Sequence, residues 1–168
     1  MAWVGLTLLS MFHHLAKCHP VLKALHRQPV LFFLVNSDLN LDIDCSDYCS
    51  VKARSSKGFG LMWAGVKATY GATKGKVCFE VSITGNNDVG HLENEPTPHV
   101  IRCGWSVSDA SMQLGEEELS WGYGGTGKKS VACKFVDYGV RFGVGDILGC
   151  YLVSDLSSFY HTFLCSSS

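Results

Sequence analysis

The residues with the clearest chemical pattern are GYGGTGKKS, at positions 122–130. A phosphate-binding loop requires Gly, four residues, a second Gly, Lys and then Ser or Thr. Its backbone amides and its lysine hold the phosphates, and its hydroxyl binds Mg²⁺. Gly122, Gly127 and Lys128 meet this spacing, but Lys129 stands where the hydroxyl is required, and Ser130 follows one position late. The motif therefore matches a nucleotide-binding loop only in part.

The residues on either side of this motif decide between a phosphate loop and a turn. A phosphate loop leads into a helix, whose N-terminal amides hold the anion. Here VACKFVDYG follows, with Val131, Cys133 and Phe135 in the alternation typical of a strand, and the preceding ELSWGYG also alternates. We therefore predict a β-hairpin with a glycine-rich turn. The alternative is a nucleotide-binding enzyme that uses the loop Gly122–Lys129.

Other residue types that carry chemistry show no catalytic or metal-binding pattern. The consecutive carboxylates at 116–118 cannot all line one site on a strand, because neighbouring side chains point to opposite faces, so they predict a solvated turn. No Ser or Cys lies in a recognisable nucleophile motif. Cys45 and Cys49 are too far from His91 and His99 for the ligand spacing of zinc sites. We predict a protein that is not an enzyme, with no catalytic residues, no metal and no cofactor.

The cysteines and the net charge restrict the class of protein. The chain has eight cysteines, and an even number also suits a secreted, disulfide-bonded β-sandwich, which we keep as a second alternative. However, Cys78, Cys103, Cys133 and Cys150 lie in apolar, strand-like runs, which favours buried free thiols. The net charge is −1, so the chain lacks the overall basic character of most nucleic-acid-binding domains.

Both ends of the chain differ from the middle. The run AWVGLTLLSMF at 2–12 is uncharged and too short to cross a bilayer, which takes about 20 residues. No Lys or Arg precedes it, as a signal peptide would require. We predict a short, weakly amphipathic helix from about 3 to 19 and no membrane association. The final SSS predicts a frayed C-terminus.

The middle of the chain alternates with the period of β-strands. GKVCFEVSI places Val77, Phe79, Val81 and Ile83 on one face, and VIRCGWSV alternates in the same way from Ile101. DILGCYLV is apolar at both sets of positions, which predicts a strand buried on both faces. Turn clusters separate these runs, so the pattern indicates an all-β fold of the β-sandwich type.

Several motifs in this region resemble one family. They are WAGVKATYG (63–71), KGKVCFE (74–80), RCGWS (102–106), LGEEELSWGYGGTGKK (114–129) and YGVRFGVGDILGCY (138–151). In this order they resemble the SPRY domain of the heterogeneous nuclear ribonucleoprotein U and U-like family. The resemblance implies an antiparallel β-sandwich that is incomplete at the C-terminus. It divides the chain into a non-family segment (1–40), a partial SPRY domain (41–153) and a divergent tail (154–168). Large apolar side chains would then be uncovered, with Phe79, Trp105, Trp121 and Leu148 as the examples.

The resemblance also implies a function. A SPRY domain is a non-catalytic protein-interaction module, and this family is nuclear and associated with RNA and ribonucleoproteins. Protein partners would bind at loops such as 86–98 and 108–117. Apart from the resemblance, the residues offer one candidate for RNA contact, a local patch of lysines that forms if the strands bring them together. The candidate loop residues are Asn86, Asn87, His91, His99, Asp109, Gln113 and Glu116. The candidate basic patch is Lys67, Lys74, Lys76, Lys128 and Lys129.

Overall fold

The computed structural model describes residues 2–9, 15–19, 32–54, 62–86, 101–154 and 159–167, and the regular elements within these ranges are all β-strands. The strands are β1 (Ala2–Leu9), β2 (Leu15–His19), β3 (Phe32–Ser37), β4 (Leu41–Ile43), β5 (Ser50–Ala53), β6 (Trp63–Ala72), β7 (Gly75–Gly85), β8 (Ile101–Val107), β9 (Ser120–Gly124), β10 (Lys128–Val131), β11 (Lys134–Asp137), β12 (Asp146–Ser154) and β13 (Phe159–Ser167). The prediction of an all-β fold is confirmed.

The strands form two antiparallel sheets that share one core. Sheet A has the order β11-β10-β9-β8-β1-β6-β3, and sheet B has the order β13-β12-β7-β2-β5-β4. Side chains from both sheets form a single buried apolar cluster. Its centre includes Phe79 of β7 and Trp105 of β8, whose rings meet edge to face at 5.1 Å between centroids. The predicted antiparallel β-sandwich is confirmed.

The alternation of the central strands is confirmed in β7 and β8 but is only half right in β12. Leu148, Cys150 and Leu152 of β12 are buried as predicted. Tyr151 and Val153 are more than one third exposed, so β12 is not buried on both faces. The reason is that sheet B packs against sheet A with one face only, as in other sandwiches.

The predicted N-terminal helix is wrong. The described residues between 2 and 19 form β1 and β2. Strand β1 lies between β6 and β8 and pairs with both, and β2 pairs with β5 and β7. A short apolar run is compatible with a buried strand as well as with a helix. Here the strand forms because β1 can pair with a neighbouring strand on each side. The proposed segment boundaries remain predictions.

The predictions of a frayed C-terminus and of uncovered core residues are also wrong for the described residues. Strand β13 pairs with β12 over its full length, from Ser167 opposite Asp146 to Phe159 opposite Ser154. Phe79, Trp105 and Leu148 are buried, and Trp121 is partly buried against the core. Strands β1, β2, β3 and β13 pair with the strands of the resemblance region, and the family resemblance did not predict these neighbours. The large apolar residues that truncation was expected to expose, from Phe79 to Leu148, are therefore covered or partly covered.

The stretch after the glycine motif contains a turn that alternation did not reveal. Val131 pairs with Lys134, so β10 and β11 are joined by the two residues Ala132 and Cys133. Both have positive φ, at 49° and 58°, which is the conformation of a type I′ turn. Cys133 is consequently exposed, which corrects its predicted burial. Cys103 and Cys150 are buried as predicted, and Cys78 is half-buried.

This turn provides a test of the hairpin geometry. Asn and Gly adopt positive φ more readily than Ala and Cys, so the double substitution Ala132→Asn, Cys133→Gly should stabilise the chain by about 1 kcal/mol. Thermal unfolding followed by circular dichroism measures the gain. A lower unfolding temperature than that of the unchanged chain would show that the turn has a different conformation.

Candidate functional site

The glycine motif forms the hairpin that its surroundings predicted. Gly122 lies in β9, and Gly127, at φ 85°, ends the turn before β10. A strand follows the motif in place of the helix that a phosphate loop requires. Lys128 Nζ bonds to the carboxylate Oδ1 of Asp137 at 2.7 Å across the β10–β11 ladder. The lysine that would hold phosphate is therefore paired with a carboxylate, and the structure gives no support to the nucleotide-binding alternative.

The Lys128–Asp137 pair predicts a pH effect. Its hydrogen bond and charge hold the pKa of Asp137 below the ordinary value. The pair therefore stabilises the fold above the ordinary carboxyl pKa, and this contribution disappears as the pH falls through the lowered pKa. Substituting Lys128→Met should return the pKa of Asp137 to the usual range, as measured by NMR titration of its carboxyl carbon. An unchanged titration would contradict the pairing.

The acidic loop, residues 108–119 between β8 and β9, lies against the outer face of sheet A. Glycines make room for it, since Gly5 of β1 pairs with Gly104 of β8, which pairs with Gly122 of β9. A Cβ at Gly122 would come within 3.2 Å of Leu114 Cβ. Leu114 is only 1% exposed, because the loop covers it against the sheet. The loop is thus packed on a scaffold.

Lys67 ties the beginning of the acidic loop to sheet A. Lys67 lies in β6 and pairs with Gly5 of β1, so it continues the row formed by Gly5, Gly104 and Gly122. The ammonium donates to the carbonyl oxygens of Val107 at 3.4 Å, of Ser108 at 3.1 Å and of Ala110. Burial lowers the pKa of Lys67. At 5% exposure Lys67 is a structural clamp, so it does not belong to the predicted basic surface patch.

Further hydrogen bonds fix the middle of the acidic loop. Gly115 N–H donates to Ser120 Oγ at 2.9 Å, and Glu117 Oε1 accepts from the backbone of Ser111 at 2.7 Å. The β10–β11 turn supplies two more donors, since Ala132 N–H reaches Glu117 O and Cys133 N–H reaches Gly115 O, both at 3.0 Å. A loop held at this many points has a well-defined conformation.

The exposed surface of the acidic loop is negatively charged. Asp109, Glu116, Glu117 and Glu118 are exposed, and no Lys or Arg occurs in residues 108–119. The predicted solvated turn at the three glutamates is therefore confirmed. Gln113, also a predicted contact residue, is half-buried in the same loop.

The other predicted loop is described only at its start. Asn86 is exposed directly after β7. Asn87, His91 and His99 lie outside the described residues.

Sequence reasoning missed Arg102, which flanks the acidic loop. Its guanidinium carbon lies 4.5 Å from the centroid of the Trp63 ring and 4.8 Å from that of Phe135. It also donates to Leu114 O at 3.5 Å. Burial lowers the pKa of Arg102, and the nearby Glu116 acts in the opposite direction. The alternation in RCGWS placed Arg102 on the outer face, but nothing local indicated its aromatic neighbours.

The predicted basic patch is not assembled on one surface. Lys74 and Lys76 lie at the connection from β6 of sheet A to β7 of sheet B, whereas Lys128 and Lys129 lie on β10. In sheet A, β1, β8 and β9 separate β6 from β10, which amounts to about 19 Å at the usual strand spacing. Lys129 is also engaged with the Tyr138 ring, 5.0 Å from its centroid.

The described residues provide no metal centre. They contain no cluster of three His, Cys, Asp or Glu side chains that could hold a metal ion. None of the six cysteines whose side chains are described forms a disulfide. Within the same residues, no helix has the length and apolar character required to cross a membrane.

Comparison with known proteins gives relatives but no matching family model. The chain is 40% identical over 115 residues to heterogeneous nuclear ribonucleoprotein U-like protein 2 of Mus musculus, and 39% identical over 115 residues to that of Homo sapiens. Each match covers 68% of this chain and 15% of the relative. The chain is also 41% identical over 93 residues to the probable ATP-dependent RNA helicase ddx1 of Dictyostelium discoideum, which covers 55% of this chain and 11% of that protein.

These matches agree with the resemblance that the motifs carried. Two differently named proteins match this chain, and both of them have SPRY domains. The chain spans a small part of the length of each relative. Over the matched residues, it is a homologue of heterogeneous nuclear ribonucleoprotein U-like protein 2 and carries a partial SPRY region.

Proposed function

We propose that the chain is a non-catalytic protein-interaction module of a nuclear, RNA-associated protein, and that the acidic loop is its partner-binding surface. The observation that carries this proposal is the clamped loop itself. Lys67, Ser120 and the β10–β11 turn hold its backbone, while its carboxylates stay in solvent. Variable loops on a rigid sandwich are a common basis for recognition, and a preordered loop loses little entropy on binding.

The charge of the acidic loop indicates the kind of partner. The loop exposes four carboxylates and contains no Lys or Arg. The cations that interact with it lie outside the loop: Lys67, near Asp109 and Glu117, is buried, and Arg102, near Glu116, is partly buried. The exposed negative charge favours a basic protein surface, because complementary charge speeds association and rejects wrong partners. The same charge repels phosphate. We therefore propose that association with RNA or ribonucleoproteins comes through the protein partner. This association is supported by the names of the relatives, one a ribonucleoprotein U-like protein and the other a probable RNA helicase.

The proposal is tested by affinity capture from nuclear extract with the full chain as bait. The full chain is required because β1 lies between β6 and β8. Reversing the charge of two exposed residues, Glu116→Lys and Glu118→Lys, should abolish recovery of a specific partner. Lys74→Glu, a charge reversal at an exposed residue outside residues 108–119, serves as the control and should capture the partner as the unchanged chain does. Equal recovery by the loop variant would refute the proposed surface.

The proposed indirect association with RNA is tested in a separate experiment. Filter binding with the purified chain and single-stranded RNA at low salt should show no affinity, and capture of RNA should require the protein partner. Direct binding that weakens steeply with added salt would show phosphate contacts and contradict this part of the proposal.

A further inference from the structure

Strand β11 forms an open edge of sheet A. Within the described residues its one neighbour is β10, and its four residues are exposed. An antiparallel edge strand directs alternate N–H and C=O groups away from its neighbour, where another strand can pair with them. Phe135 and Val136 are 46% and 49% exposed, so the side chains on both faces of this edge are accessible as well.

The apolar surface continues beyond the strand. Of the eleven large apolar side chains that are exposed among the described residues, five lie between 135 and 144. After Phe135 and Val136 they are Tyr138, Val140 and Val144, and Val140 is 65% exposed. Concentrated apolar exposure at a sheet edge is a feature of interaction sites, because isolated proteins usually avoid it. We call residues 134–144 the apolar edge.

The charges around the apolar edge are mainly positive. Residues 128–141 contain four basic side chains and one carboxylate, a net charge of +3. The carboxylate, Asp137, is paired with Lys128. Lys134 and Arg141 are exposed, and the described residues place no carboxylate within ion-pair distance of either. This edge therefore carries unneutralised positive charge.

From this geometry we propose that the apolar edge binds an extended acidic and apolar peptide segment of a protein partner, which adds to sheet A as a strand beside β11. The backbone of β11 supplies the pairing, Phe135 and Val136 supply apolar contact on the two faces, and Lys134 supplies a cation for a carboxylate of the peptide. A second copy of this chain is disfavoured as the occupant, because it would bring the same positive edge against this one.

The apolar edge is distinct from the acidic loop, although they adjoin at the β10–β11 turn. The two surfaces have opposite charge, so they select different partners or different parts of one partner. Peptide binding at the edge does not depend on the carboxylates of the loop. The loop variant Glu116→Lys, Glu118→Lys should therefore still bind the peptide, and at least as tightly as the unchanged chain does, because it removes negative charge beside the edge. Failure of one proposal then leaves the other standing.

The experiment uses the full chain and a synthetic peptide of about eight residues with alternating Val and Glu, labelled for fluorescence anisotropy. The peptide should bind and should slow amide exchange at residues 134–137. Lys134→Glu should weaken binding about tenfold or more, and the control Lys74→Glu should leave it unchanged. A peptide methylated at alternate backbone nitrogens should not bind, because it cannot form the ladder.

Four results would overturn the proposal. They are no binding of the acidic peptide, equal binding of an alternating Val and Lys peptide, binding unaffected by Lys134→Glu, and protection of the edge amides by self-association of the chain alone. Binding of single-stranded RNA at the edge in competition with the peptide would likewise replace the proposed occupant.

Discussion

Replacing Gly104 with alanine is expected to lower the unfolding temperature of the chain by about 6–12 °C. This corresponds to a loss of about 3 kcal/mol at roughly 2–4 °C per kcal/mol for a chain of this size. A Cβ at Gly104 would lie 1.9 Å from Trp121 O and 2.9 Å from Trp121 C. Both are backbone atoms of β9, which is paired to β8 at this level, so neither can move away without breaking the ladder.

A matched glycine provides the control for Gly104. A Cβ at Gly143 would meet nothing within 4 Å, and Gly143 is not among the residues of positive φ. Gly143→Ala should therefore change the unfolding temperature little. Equal effects of the two substitutions in calorimetry would contradict the close approach of β8 and β9 beneath the acidic loop.

Replacing Lys67 with methionine is expected to release the acidic loop from sheet A and to lower the free energy of unfolding by about 2–3 kcal/mol. Methionine fills a similar volume but donates no hydrogen bond, so the carbonyl oxygens of Val107, Ser108 and Ala110 lose their shared charged donor. Amide hydrogen exchange measures the release directly. Residues 108–119 should exchange faster, while β7 and β12 keep their protection.

The exposed Lys74 is the control for Lys67, because Lys74→Met removes the same charge without touching the acidic loop. Exchange in residues 108–119 should then stay as in the unchanged chain. Unaltered exchange in the Lys67→Met variant would show that the loop is held without its clamp. The proposed preordering of the binding surface would then have to rest on the remaining contacts.

The sandwich could be predicted from the sequence wherever alternation and packing agree. In β7 the two-residue period separates the buried Phe79, Val81 and Ile83 from less buried neighbours, as predicted. In β8 the predicted Ile101, Cys103 and Trp105 are buried, but Gly104 and Ser106 between and after them are buried as well. Strand β1 could not be predicted, since a short apolar run has no period that distinguishes helix from strand. Its place depends on strand pairing with β6 and β8, which is a property of the assembled sheet.

The candidate site was predictable only in outline. The glutamates of residues 116–118 marked an exposed turn, because consecutive carboxylates avoid burial. The role of Lys67 was hidden, because its position in β6 predicts only an outward-facing side chain. The acidic loop folds back over that position, and the aligned glycines that permit this come from three strands far apart in sequence. Such contacts exist only after the strands have paired.

Site-specific photo-cross-linking tests most directly whether the acidic loop is the partner-binding surface. A photoreactive amino acid is placed at position 116 in the loop or at position 74 in the connection between β6 and β7, and each full chain is irradiated in nuclear extract. The account predicts a discrete protein cross-link from position 116 that is absent from position 74. No specific cross-link at 116, or the same products from both positions, would contradict it.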